Sequence, residues 1–161
     1  MNEKINLNDI FESAMRDPSL FSNIDIDRLL DSIESNKNDY LENKTMGDIT
    51  NNIYDLLNQF PNCIDICNKL TGYRHVDEIN ELHKGKHVRW IRISDQNHHL
   101  TNGGIVVDIK FLDSGTHVLC KNSMHRFVQY KFDDCITFQK MSVEEQLILM
   151  AYEHIDSTNT K

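Results

Sequence analysis

Hydrophobic positions recur along this chain at two periods, and the change falls near residue 83. Before it, apolar residues stand three and four apart with Asp, Glu, Lys and Asn between them, the pattern of amphipathic helices. Asn8 can cap a first helix with Ile10, Phe11, Ala14 and Met15 on one face, and Pro18 ends it. A second follows Asp25, carries Ile26, Leu29, Leu30, Ile33, Tyr40 and Leu41, and runs to about Asn43. A third starts near Thr45, where Thr45 and Asp48 have the side chains of a capping box, and its stripe is Met46, Ile49, Ile53, Leu56, Leu57 and Phe60. Pro61 suits the first turn of a short fourth helix carrying Ile64, Cys67 and Leu70, with Gly72 closing it in a left-handed conformation. A last turn covers Val76 to Leu82.

From Lys86 to Gln139 the period is two, with Gly, Asn, Asp and Ser punctuating short β-branched and aromatic runs. Val88 to Ile93 is the first strand expected, and Asn102-Gly103-Gly104 is a strong turn signal. Ile105, Val107, Ile109 and Phe111 alternate toward a core over the second strand, with Asp108 and Lys110 facing out. Leu112 to Thr116 forms a tight hairpin turn, His117 to Lys121 a third strand, and Lys121 to His125 a second hairpin loop. Arg126 to Phe132 is a fourth strand with Val128, Tyr130 and Phe132 on one face, and Cys135 to Gln139 a fifth. Strands this short and close cannot build a large sandwich, so a small bent barrel that hides its edges is expected. Ser142 and Glu145 then form a capping box for a helix carrying Leu147, Met150, Ala151 and His154 on one face, with Ile148 beside it. The fold class expected is α+β: a helical subdomain at 1–82, a five-stranded antiparallel barrel at 83–140, and a C-terminal helix and tail at 141–161.

Composition agrees with a globular chain, at 39% hydrophobic and 26% charged residues, with two prolines and six glycines leaving little room for linkers. The net charge of -8 hides an asymmetry. Residues 1–82 hold 16 acids against seven Lys and Arg, and residues 141–161 four acids against one Lys. Residues 83–140 reverse this, with nine Lys and Arg against five acids, and hold six of the eight histidines. A basic β unit within an acidic chain either docks on the acidic parts or meets an anion such as nucleic acid. The N-terminus, MNEKINLNDI, is acidic and polar and lacks a secretory pattern. No apolar run approaches the roughly 18–20 residues that span a bilayer. The setting expected is intracellular, with no membrane and with free thiols at Cys63, Cys67, Cys120 and Cys135.

Candidate chemistry is thin. Cys63 and Cys67 lie on one side of a helix and with His75 and His83 would make a zinc-type donor set. Their spacing matches no standard finger, and Ile64 and Ile66 speak for a core-facing helix instead. His98-His99 lies beside Asp95 without a third ligand in sequence reach. Cys120 needs His117 or His125 as a base, yet residues three apart in a strand point to opposite faces, and Cys120 sides with Val118 as core. No phosphate loop, dinucleotide fingerprint, nucleophile elbow or HExxH stands in the chain, so no enzyme, cofactor or metal is expected.

Binding residues remain. Tyr130 with Asp133 or Asp134, and next Trp90, are the best candidates for an aromatic cage around a methylated cation, against a plain core role for the same rings. Arg89, Arg92, Lys110, Arg126 and Lys131 are candidates for a basic face; Arg89 is out of phase with its neighbours, so they form no clean stripe, while Lys110 and Lys131 both turn outward on neighbouring elements and extend a patch. Such a face needs no motif to hold backbone phosphates.

The order of long hairpin, tight hairpin and short last strand resembles Src-homology-3-like and Tudor-like barrels. The stretches Leu82-His83-Lys84-Gly85-Lys86-His87-Val88-Arg89-Trp90-Ile91, Leu100-Thr101-Asn102-Gly103-Gly104-Ile105 and Ile136-Thr137-Phe138-Gln139-Lys140 resemble small uncharacterised proteins of giant, mimivirus-like DNA viruses, whose Asn- and Ile-rich composition is similar. That resemblance implies a viral protein of the host cytoplasm or the virion and supplies no catalytic residues. The function expected is a non-catalytic interaction module with a protein partner in a viral or other macromolecular assembly. The alternative is DNA or RNA binding through the basic face.

Overall fold

A computed structural model describes Leu41 and residues 44–159, with side chains through His154. The two helices expected before Thr45 lie outside the described residues. At Thr45 the capping box forms as its side chains predict. The Thr45 N–H donates to Asp48 Oδ2 at 2.9 Å, and the Asp48 N–H donates to Thr45 Oγ1 at 3.2 Å. Helix α1 follows over Met46–Leu57. Helix α2 is short, Cys63–Lys69, and buries Cys63 and Ile66, with Leu70 as its buried C-cap. Its inward stripe is thus rotated from the expected Ile64, Cys67 and Leu70, and Ile64 is exposed.

Gly72, at φ +85, leads straight into an unexpected strand, β1 (Tyr73–Val76). The others are β2 (His87–Arg92), β3 (Gly104–Leu112), β4 (Gly115–Lys121), β5 (Phe127–Lys131) and β6 (Cys135–Lys140). Helix α3 spans Val143–Asn159 and opens on the predicted box, in which the Glu145 N–H donates to Ser142 Oγ and the Ser142 N–H to Glu145 Oε1, both at 3.1 Å.

The strands form one antiparallel six-stranded sheet in the order β1-β6-β2-β3-β4-β5. It is not closed, so the expectation of a five-stranded Src-homology-3-like or Tudor-like barrel is corrected. The reason lies in β6. One of its edges pairs with β2, and β1 takes the other, Tyr73 opposite Lys140 through Val76 opposite Thr137. Among the described residues strand β5 therefore has no partner on its far side and remains an edge.

Two compact units can be distinguished. One runs from Thr50 to Lys140; the other holds, among the described residues, Leu41, residues 44–49 and residues 141–159. Within the first, the sheet has a core on each face. Ile53, Leu57, Cys63, Ile66 and Leu70 pack with Ile91, Leu100 and Phe138 on one side. On the other, every strand from β1 to β5 contributes to a single cluster, including Val76, Trp90, Val106, Cys120 and Tyr130. In the second unit, Leu41, Ile49, Met141, Ile148 and Leu149 form their own cluster.

Candidate binding face

The β3–β4–β5 half of the sheet buries one face and, among the described residues, has no element packed on the other. Val106, Cys120 and Val128 stand in one row of the ladder and turn inward, as do Ile109, Val118 and Tyr130 two rows on. The residues between them belong to the outer face. There Lys110 stands opposite His117, and His117 opposite Lys131, giving a row across three strands with a lysine on each side of a histidine. At the other end Ile105 stands opposite Lys121, and Lys121 opposite Phe127. Phe127 is 64% exposed and Ile105 43%. The Lys121 ammonium sits 5.7 Å from the Phe127 ring centroid, within cation–π range.

Local chemistry holds this face in place. Ser114 Oγ lies 2.9 Å from His117 Nε2 and fixes that ring. Gly115, at φ +126, lacks a Cβ that would come within 2.7 Å of Lys131 Cε, so Lys131 can lie across β4. Asp108, the acid between the two rows, is engaged by Lys84 at 3.4 Å and accepts the Ile109 N–H at 2.9 Å.

The seven residues expected to bind separate into five places. Lys110 and Lys131 meet on the outer face. Trp90 and Tyr130 stack in the core at 4.1 Å between centroids, each 3% exposed, and the Tyr130 hydroxyl meets Thr137 Oγ1 at 3.1 Å. Burial pushes the Tyr130 phenol far above its ordinary range. These rings are packed against one another and do not stand open as a cage. Arg89 points the opposite way from Trp90 and is tied down, Nε donating to Thr101 O at 2.8 Å and Nη1 to Lys69 O at 3.4 Å. Arg92, at the end of β2, and Arg126, in the β4–β5 turn, are exposed and apart from the Lys110–His117–Lys131 row. His117, Lys121 and Phe127 were missed as partners of Lys110 and Lys131. Counting back from the Asp113-Ser114 turn to pair Lys110 with His117 is the signal that finds them.

The four cysteines are free thiols, with Cys63 and Cys120 buried and Cys67 and Cys135 partly so. Cys63 and Cys67 have their sulfurs 3.9 Å apart, and burial with the neighbouring Cys63 raises the Cys67 thiol. Cys120 is fully buried, its thiol pushed up to about 12, and it faces away from His117. Among the described residues no group of three or more His, Cys, Asp or Glu converges as a metal site, and no described helix is long and apolar enough to cross a membrane. Comparison with protein-family models, with curated proteins and with solved structures finds no match.

Proposed function

We propose that this protein is a non-catalytic binding module whose working surface is the outer face of β3, β4 and β5, and that its ligand is single-stranded nucleic acid. The observation that carries this reading is the in-register row Lys110–His117–Lys131 beside the exposed row Ile105–Lys121–Phe127. Cations spaced across a sheet suit successive phosphates, and an exposed aromatic ring gives a base something to stack on. The one acid between the rows is already paired with Lys84. The test is fluorescence anisotropy with a labelled 20-mer of thymidine. Micromolar or tighter binding that weakens with salt, at about 0.7 log units per phosphate contact, supports the reading, and no binding at about 50 mM salt removes it.

Assembly with a protein partner is the second reading. It draws on the apolar end of the same face, Ile105 and Phe127, and on the edge of β5, which is unpaired among the described strands. The giant-virus resemblance adds the virion or the host cytoplasm as its setting. A partner held by apolar contacts survives high salt, whereas a strand does not.

A further inference from the structure

The sheet ends in two edges of different kinds. Strand β1 is four residues long and buries Arg74, and shortness and an inward charge are two devices by which an edge resists pairing. Strand β5 has neither. Its inward side chains are Val128 and Tyr130, it holds no proline, and its ladder with β4 runs without a bulge. Its one charge, Lys131, stands at its last residue.

The hairpin fixes the backbone phase of β5. The Asn122 N–H donates to Arg126 O at 2.9 Å. Hydrogen-bonded and non-hydrogen-bonded pairs alternate along an antiparallel ladder, so Val128 and Tyr130 bond to β4. Phe127 and Gln129 therefore turn both backbone groups away from β4, and Lys131 turns its N–H away. Among the described residues no strand takes them up. The same three residues carry their side chains on the outer face, where Phe127 and Gln129 are exposed.

We propose that β5 pairs antiparallel with β5 of a second copy of this chain, Gln129 opposite Gln129 about a two-fold axis. This register uses the whole strand and sets outward-turned residues opposite outward-turned residues. It places Phe127 opposite Lys131 of the second copy, twice by symmetry. The Lys121 ammonium already sits 5.7 Å from the Phe127 ring centroid, so the ring then lies between two lysines. On the inner face Val128 stands opposite Tyr130, apolar against apolar. Sliding the copies by two residues keeps the phase but pairs only three residues of each strand and takes Phe127 and Lys131 apart. This inference rests on the second reading, assembly through the edge of β5, and gives it its partner; it is independent of strand binding.

A five-residue strand pair buries less than the roughly 1,200 Å² of a standard interface, so the dimer is weak, its dissociation constant on the order of tens of micromolar. The test is sedimentation velocity on the full chain without nucleic acid, from about 1 to 500 µM. The result expected is a reversible shift from 18.8 kDa to twice that mass. F127K, at an exposed position, sets lysine opposite lysine at both ends and weakens the dimer about tenfold or more. F127K/K131E sets lysine opposite glutamate and restores it to within about threefold. Q129P removes an N–H that β4 does not use, leaves the circular dichroism unchanged and abolishes the dimer. A single-chain mass across the series overturns the inference. So does a dimer that F127K and Q129P leave unchanged, or that F127K/K131E fails to restore. A different protein retained at high salt and lost in Q129P, while the chain alone stays single, keeps the second reading and removes only the self-pairing.

Discussion

Replacing Lys110 and Lys131 together with alanine removes two charges that flank His117 on the same row. Neighbouring strands lie 4.7–4.9 Å apart, so their stems rise from points about 10 Å apart, a span that takes two phosphates of one strand. On a single strand each phosphate contact contributes a factor of about [salt] to the power −0.7, roughly eightfold at 50 mM and fourfold at 150 mM. The double variant is therefore expected to bind a thymidine 20-mer about 60-fold more weakly at 50 mM salt but only about 15-fold more weakly at 150 mM. The slope of log affinity against log salt should fall by about 1.4. Neither lysine takes part in an ion pair among the described residues, so stability should move by less than about 0.5 kcal/mol. Lys69, which pairs with Asp65 at 3.5 Å on α2, is the control, and K69A should leave the slope unchanged. Anisotropy across a salt series reads all of these values. An unchanged slope in the double variant, with unchanged urea unfolding, refutes the assignment of phosphates to this row.

Gly103 has φ +73, and a Cβ there would lie 1.8 Å from Val88 O, so G103A should cost roughly 2–4 kcal/mol by urea unfolding. Y130F deletes the hydroxyl that meets Thr137 and should cost about 1–2 kcal/mol; adding T137V in the same chain should cost clearly less than its effect alone, as a double-mutant cycle measures. S142A removes one half of the α3 capping box and should lose about 1 kcal/mol, read as lower helicity and a lower melting temperature. The Cys120 thiol stands at about 12 in the folded chain against 9.0 ordinarily, so the stabilisation of its neutral form is complete below about pH 9 and is lost as pH rises toward 12. Stability should fall by up to roughly 1.4 kcal/mol per pH unit across that window, and C120A should flatten the fall, measured as urea midpoints at pH 8 and pH 10.

How much of this was legible in the sequence depended on whether the alternation could be counted without a break. The capping boxes at Thr45–Asp48 and Ser142–Glu145 formed as read because a cap is a local exchange between residues three apart. The outward pair Lys110 and Lys131 was legible because β3 beyond its bulge, β4 and β5 each keep a strict period of two. The first half of β3 was read with its faces exchanged. Ile105 and Val107 were expected to face the core, but they are exposed and Val106 is buried. A bulge between Val106 and Asp108 inserts one residue, and one residue is enough to reverse a face. The sequence shows no glycine or proline at that point to announce it.

The missed strand β1 and the mistaken closure have a single cause. Tyr73 to Val76 does alternate, but its first inward position is Arg74, and an arginine reads as a solvent residue. In the fold Arg74 is 1% exposed, with its Nη2 donating to Glu81 O at 2.6 Å. The backbone turn at Ile79–Glu81 thus supplies the acceptor that lets a charged group occupy a core position. Gln139, opposite Arg74 on β6, is buried for a parallel reason, its Oε1 accepting the His83 N–H at 2.7 Å. With Arg74 Nη2 and Gln139 Oε1 each given a backbone partner, β1 holds the second edge of β6, and no edge is left there for β5. The same pairing that opens the sheet leaves β5, among the described strands, unpaired at its far side. The face carrying Phe127 and Lys131 therefore runs out to an edge of the sheet that no described strand pairs with, and no closed ring bounds it there.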